Sequence, residues 1–303
     1  MNEIKRGFKK KTINAIIENK IDDWIKTVNN EELKNNIKNN IVVTGGAIAS
    51  MLLGENPNDF DIYFKSNEIA IDVANYYLEP YAKKTADNQK IKKVFAEPTP
   101  DGIRIVIKSA GVLTDTENVA NYTYFEQESA ETLDNYFKQY HLYQENSKNQ
   151  YKPAYISDNA ISLHGDIQLV FRFTGQSDKI HENFDFVHTK NYWTAQTGLV
   201  LNQDSLEAIL TKELIYAGSK FPICSLFRIR KFIERGWTIN AGEILKISYD
   251  ISKLNLDDYE TLRNQSIGVD TAYFAELLNV LKNDNKPINR TYLYEIINRV
   301  FGE

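Results

Sequence analysis

With 303 residues, 42% of them apolar and 25% charged, the chain can bury two cores and is too apolar to be a disordered tail. Its 36 Lys and Arg against 41 Asp and Glu leave a formal net charge of −5, which excludes a generic polyanion binder and requires any nucleic-acid contact to come from a local patch. The single Cys224 excludes an internal disulfide and suits a reducing cytoplasm as a small core residue, no apolar run reaches bilayer length, and the polar start lacks a signal core, so a cytoplasmic protein with no membrane partner is expected.

In chain order, Lys5, Arg6, Lys9, Lys10 and Lys11 form a basic arm, read as solvated lysines before a helix. Ile13, Ile16, Ile17, Ile21, Trp24, Ile25 and Val28 recur at helical spacing and predict one apolar face over 13–28. The run Ile41-Val-Val-Thr-Gly-Gly-Ala-Ile-Ala-Ser-Met-Leu-Leu-Gly54 predicts a buried strand, a Gly-Gly turn and an amphipathic helix. A second strand follows, Asn58-Asp-Phe-Asp-Ile-Tyr-Phe64. Strand side chains alternate, so Asp59 and Asp61 share one face while Phe60 turns into the core. Two carboxylates at a strand edge, facing a glycine turn at a helix N-terminus, suit a divalent metal and a triphosphate. Gly45 and Gly46 let phosphates approach the backbone, first-turn N–H groups receive negative charge, and the carboxylates hold magnesium. The competing reading, a hairpin-like turn with Asp59 as a solvated cap and Asp61 as an edge charge, accounts for neither the Gly-Gly pair nor the apolar run at 41–43.

These residues resemble the catalytic head of the DNA polymerase β-type nucleotidyltransferase superfamily. The stretch GGAIASMLLGENPNDFDIYF is most similar to the branch containing tRNA CCA-adding enzymes and bacterial poly(A) polymerases, which shares its Gly-Gly, Leu-Leu-Gly helix end, short polar loop and Asp-x-Asp. The resemblance implies an α+β fold: a polymerase β-like head, with a mixed sheet and flanking helices, followed by a helical domain. It implies Asp59 and Asp61 as catalytic, metal-holding residues for Mg²⁺ (or Mn²⁺), and Gly45 and Gly46 as the cradle of the nucleotide's β- and γ-phosphates. Where CCA-adding enzymes carry an Arg-Asp pair in the first helix, this chain has Ala49-Ser50, which leaves Ser50 as the nucleotide-binding candidate. Their Arg-Arg-Asp-Phe segment is echoed only by Asn183-Phe-Asp-Phe186, without arginine. The superfamily's third carboxylate falls at Gln168; Asp166, two residues earlier on the same face, is the substitute candidate, with Asp185 a contender.

Farther on, Ile69, Val73, Ala74 and Tyr77 predict a covering helix, and Ile103, Ile105 and Ile107 alternate as in a strand. Residues 110–155 hold Tyr122, Tyr124, Tyr136, Tyr140, Tyr143, Tyr151 and Tyr155 with no sustained period. They read as an insertion between head strands, helical around 129–143, whose rings pack more readily than they stack on bases. Strands at 161–163 and 167–173, separated by His164-Gly165, complete the sheet. Helices follow: Leu206, Ile209, Leu210, Leu214 and Ile215 share a face, as do Phe274, Leu277, Leu278 and Leu281. Leu293, Ile296, Ile297, Val300 and Phe301 share another, after a break at Lys286-Pro287. Between them, FPICSLFRIRKFIERGWTIN (221–240) reads as an amphipathic helix with Leu226, Phe227, Ile229 and Phe232 partly buried. It is similar to the family's helix after the head, which makes Arg228 and Lys231 nucleotide-binding candidates. The expected domains are 1–200, with the insertion near 110–155, and 201–303. His141, His164, His181 and His188 have no zinc-ligand spacing with Cys224, and Walker, Rossmann and serine-elbow motifs are absent from the sequence.

The function implied is a metal-dependent nucleotidyltransferase that moves an NMP from an NTP to an acceptor hydroxyl. The acceptor expected first is an RNA 3′ end, tRNA foremost, or else a protein side chain, as in toxin-like members of the superfamily. The missing helix arginine and the glutamine at the third-acid position favour a second class, a catalytically reduced head with a binding or assembly role. The Asn, Lys and Ile enrichment reads as an AT-rich coding bias suited to a phage-encoded relative. No signal for oligomeric state is present.

Overall fold

The structure, a computed structural model, describes residues 6–86, 91–109, 151–258, 261–262, 265 and 290–301. Its chain divides into two compact units. The first takes the described residues up to Phe184 together with His188–Thr211; the second takes Asp185–Val187 and those from Lys212 onward.

The first unit opens with α1 (Lys10–Lys26), whose Ile13, Ile17, Ile21, Trp24 and Ile25 are buried at the predicted period. Helix α2 (Glu31–Asn39) is short, started by Asn30, whose side chain accepts the Leu33 N–H, and anchored by Leu33 and Ile37. Strand β1 (Ile41–Thr44) is buried on both faces and leads through Gly45 into α3 (Gly46–Leu52). Then come β2 (Phe60–Phe64), α4 (Asn67–Ala86), β3 (Ile91–Pro98) and β4 (Ile103–Ser109). After the undescribed stretch come β5 (Pro153–Ile156), β6 (Ala160–Leu163), β7 (Ile167–Thr174) and α5 (Ser177–His181). A 3-10 turn at Val187–Thr189, β8 (Tyr192–Thr194), β9 (Gly198–Val200) and α6 (Gln203–Thr211) follow.

Seven strands form one mixed sheet in the order β5-β6-β7-β2-β1-β8-β9, in which β2 and β7 run parallel and the other neighbours antiparallel. The register follows the pleat. Phe60, Ile62 and Phe64 join a single core with Ile41, Val43, Ile167, Leu169 and Phe171 and with residues of α1 to α4. Phe64 and Phe171 stack with ring centroids 5.2 Å apart. The opposite face carries a smaller cluster of Val42, Tyr63 and Ile180, so α5 covers part of that face.

Within the main core the Trp24 indole N–H donates to the Tyr77 hydroxyl at 2.7 Å, and both side chains are buried. Tyr77→Phe strands that N–H in apolar surroundings. A loss of about 1–2 kcal/mol is expected, measured as a lower denaturant midpoint at unchanged slope.

Several sequence expectations change. Asp59 lies one residue before β2, not within it. The strand at 103–109 pairs with β3 in a separate two-stranded sheet, since β3 was not legible beforehand. The first unit extends to Thr211 and includes α6. Leu210 is 84% exposed, not on a shared buried face. Leu210 lies off the face of α6 that Ser205, Ala208 and Ile209 bury, and α6 stops at Thr211, before Leu214 and Ile215. The tyrosines from Tyr122 to Tyr143, the helix proposed at 129–143, His141, the stripe from Phe274 to Leu281 and the break at Lys286-Pro287 lie outside the described residues. Tyr151 is buried and Tyr155 sits in β5.

In the second unit the described helices are α7 (Pro222–Glu234), α8 (Ala241–Ser252) and α9 (Arg290–Phe301). Pro222 occupies the first turn of α7, where its missing N–H does no harm, and Gly236 ends it at φ 80°. Ile229 is buried, but Leu226 is 42% exposed. Phe232 packs edge-on to Phe186 and to Trp237, each at 5.8 Å. Cys224 is buried and its thiol donates to the Gln265 carbonyl.

Candidate functional site

The site forms where β1 ends and β2 and β7 begin. Register alone assembles a row across the sheet. Thr44 pairs with Asp61 on β2 and with Tyr192 on β8, and Asp61 pairs with Gln168 on β7. Residues directly opposite in neighbouring strands point to the same face, so Gln168, Asp61, Thr44 and Tyr192 stand side by side. This is the face opposite Phe60 and Ile62. Phe60 pairs with Ile167, so Asp59 and Asp166, each one residue earlier, flank each other at the sheet end, where the Phe60 N–H donates to the Asp166 carbonyl at 2.8 Å.

Gly45 closes the row. Its φ of 96° belongs to the region that favours glycine, and a Cβ built there would lie 2.7 Å from Asp61 Oδ2. The turn and the carboxylate are thus in direct apposition. The Gly45 N–H donates to the Thr189 carbonyl at 3.2 Å. At Gly46 an added Cβ would meet nothing within 4 Å, so the outer side of the turn is open.

Electrostatics single out Asp59. The residue is exposed, yet the protein mass around its carboxyl raises its pKa above the ordinary range, and the negative charge of Asp166 raises it further. Two acidic groups in mutual repulsion are what a cation relieves. Carboxylate oxygens are the hard donors that magnesium takes, and Asp59 and Asp61 fit that group on chemistry. Among the described residues no three His, Cys, Asp or Glu side chains converge on one point. The protein would therefore provide one or two carboxylates, leaving the other positions to water and phosphate, which is the usual magnesium arrangement.

Sequence reasoning missed the polar support behind this row. Thr44 is fully buried, and its hydroxyl lies 2.8 Å from His181 Nε2, 2.8 Å from the Asn191 carbonyl and 3.2 Å from the Thr189 carbonyl. A hydroxyl has one proton. With that proton turned to a carbonyl, His181 must donate through Nε2–H. The His181 ring also packs against Phe184 at 5.0 Å and Tyr192 at 5.8 Å. Burial lowers its pKa to about 4, with help from the positive charge of Lys190 and against the pull of Asp178. A polar Thr44 closing an otherwise apolar buried run was the one available signal; His181 had been weighed only as a zinc ligand.

The lowered value has a consequence for stability. The unfolded chain takes up a proton near pH 6.5 that folded His181 refuses until about pH 4. This contribution is complete above pH 6.5 and declines as pH falls between these two values. A loss of about 3 kcal/mol is expected across that window, read from denaturant titrations at several pH values, with the slope against pH reduced in His181→Phe.

The remaining sequence candidates lie on other elements. Gln168 stands opposite Asp61 on β7. Ser50 lies within α3 at 6% exposure, on its buried side. Arg228, Lys231 and Asp185 belong to the second unit. There Arg228 Nη1 lies 2.6 Å from Asp185 Oδ2, and Ser225 donates to the same carboxylate at 3.1 Å. Asp185 thus serves an ion pair inside that unit, with Lys231 exposed on α7.

Fold and site together define a mixed α/β protein with an acidic sheet end set against a glycine turn. Residues 15–212 match the sequence model of the Gabija anti-defense 2 family, which spans more than half of the chain. The chain belongs to the Gabija anti-defense 2 family. A relative, Gabija anti-defense 2 of Bacillus phage SPbetaL7, is 26% identical over 117 residues, a match covering 38% of this chain and 29% of that protein. The chain therefore matches under a third of that relative's length. Among solved structures it is similar to the Thermotoga maritima CCA-adding enzyme complexed with tRNA, at 10% identity and a TM-score of 0.38. That likeness covers 92% of this chain and 59% of that one. It is similar also to a CCA-adding enzyme in complex with ATP, at 11% identity and a TM-score of 0.40, covering 94% and 60%.

Proposed function

We propose that this chain is a metal-dependent nucleotidyltransferase that moves an NMP from an NTP to an acceptor hydroxyl, in the service of countering Gabija defence. The observation that carries the reading is the register that sets Asp61 against Gly45 and Asp59 beside Asp166 at one sheet end. Asp59 and Asp61 would hold Mg²⁺ or Mn²⁺, with the charge of Asp166 adding to the attraction. When bound, the metal supplies charge neutralisation for the leaving pyrophosphate and activation of the acceptor hydroxyl. Gly45 and the open side of Gly46 leave room for phosphate oxygens close to the backbone. Asp61, fixed by its place in β2 and by the Gly45 turn, would hold the cation where the α-phosphate lies. The acceptor oxygen bonds to the α-phosphorus as the bond to pyrophosphate breaks, and the hydroxyl proton passes to solvent. The favoured acceptor is an RNA 3′ end.

The test is incubation of the protein with each α-labelled NTP, Mg²⁺ or Mn²⁺, total RNA and Gabija-encoding cell extract, alongside Asp59→Ala/Asp61→Ala. Label on RNA that disappears in the variant supports the reading as stated. Label on a protein band keeps the chemistry and replaces the acceptor. Gln168 beside Asp61, and Ala49-Ser50 in the helix, favour the competing reading of a catalytically reduced head used for binding. No label with folded protein under either metal would establish that reading instead.

A further inference from the structure

We propose that His181 is a positioning residue of this site, holding the end of β1 through Thr44 so that the Gly45 turn stays against Asp61. The inference rests on the nucleotidyltransferase reading of the site. Three observations converge on it. First, Thr44 is the residue directly opposite Asp61 and directly before Gly45, so any shift of its backbone is passed to both. Second, the Thr44 hydroxyl is the hub that joins His181 on α5 to the carbonyls of Thr189 and Asn191, and the Thr189 carbonyl also receives the Gly45 N–H. Third, the imidazole cannot swing away freely, because Phe184 and Tyr192 pack against it.

Each bond has a definite direction. His181 Nε2–H donates to Thr44 Oγ1, the Thr44 hydroxyl donates to a carbonyl of the 189–191 segment, and Gly45 N–H donates to Thr189. The segment that follows α5 is in this way tied to Thr44 and Gly45 at the start of the glycine turn. Loss of the histidine donor leaves a fully buried hydroxyl short of one partner and loosens an attachment of the turn to α5. The sheet itself keeps its core on the other face, where Val43, Ile62 and Leu169 pack. The effect of the change is therefore local.

The test uses the full chain in four forms: wild type, His181→Phe, His181→Gln and Thr44→Val. Phe keeps a planar ring without a donor, Gln returns an N–H at similar reach, and Val keeps the shape of Thr without its hydroxyl. Amide exchange at Gly45 is expected to accelerate roughly tenfold in His181→Phe and Thr44→Val, while Val42 and Val43 stay protected as in wild type. KM for the NTP should rise roughly tenfold with a smaller fall in kcat, and His181→Gln should recover most of both. The double variant His181→Phe/Thr44→Val should be no worse than either alone. Wild-type exchange at Gly45 in His181→Phe would overturn the proposal, as would equal acceleration along the whole of β1, which marks a merely structural role. Asp61→Asn serves as the reference for the underlying reading. If wild type and Asp61→Asn bind Mg²⁺–ATP equally in calorimetry and neither transfers label, the nucleotidyltransferase reading fails, and the role of His181 in that chemistry falls with it. A fast-exchanging Gly45 in His181→Phe would then identify a clamp on the turn only.

Discussion

Asp61→Asn is expected to abolish nucleotidyl transfer, by roughly three orders of magnitude or more, while the melting temperature stays near that of wild type. The side chain points away from the core, since its neighbours Phe60 and Ile62 are the ones buried among α1 to α4. Asparagine keeps the size and planarity that fit against Gly45, so the fold is preserved. What disappears is the negative charge at the point where the turn, β2 and β7 meet. Asp59→Asn should be nearly as damaging to transfer. Its charge is already opposed by the protein mass around its carboxyl and by Asp166, so the same replacement removes a local repulsion and should leave stability unchanged or slightly higher. Label-transfer rates and thermal melts on the same preparations check both statements. Full transfer by Asp61→Asn would sink the site assignment.

Gly45→Ala is expected to damage both the fold of the turn and transfer. The backbone at Gly45 has φ 96° and ψ −157°, a region essentially reserved for glycine, so strain alone costs about 1–3 kcal/mol. The added Cβ would then sit 2.7 Å from Asp61 Oδ2, and the carboxylate has to move. Transfer should fall at least about 100-fold, because a displacement of this size breaks the geometry a transfer step requires. Gly46→Ala separates the two glycines. No atom stands within 4 Å of the new methyl, and residue 46 has no left-handed backbone, so stability should be unchanged or slightly improved. If phosphate approaches the open side of the turn, NTP binding weakens in Gly46→Ala although the fold is intact. Calorimetric titration of Mg²⁺–ATP into both variants, with denaturant curves beside it, reads these effects apart. Unaltered NTP binding by Gly46→Ala would place the phosphates elsewhere.

Much of the first unit was legible because its elements carry strong local patterns. The apolar stripe of α1, the run ending in Thr44-Gly45-Gly46 and the alternation of β2 and β7 are each set by neighbours in sequence, and periodicity reports such neighbours directly. Short pieces escaped. Strands β8 and β9 have three residues each, too few to show a period, and β3 carries two adjacent lysines, Lys92 and Lys93, that hide its pairing. Leu210 falls off the buried face of α6, because the helix is too short for apolar spacing at 206–215 to mark a single face.

The site divides along the same line. That Asp61 faces the Gly45 turn was legible in sequence because strand, turn, helix and strand lie within one local segment, and alternation fixes which side chains share a face. The partners of the acids were not. Gln168 and Asp166 reach Asp61 and Asp59 through a parallel pairing more than a hundred residues distant, whose register depends on a whole buried face. His181, Asn191 and Thr189 meet Thr44 across a similar separation. The identity of the acids was written in local chemistry, whereas what supports and charges them was settled only when long-range strand pairing closed the sheet.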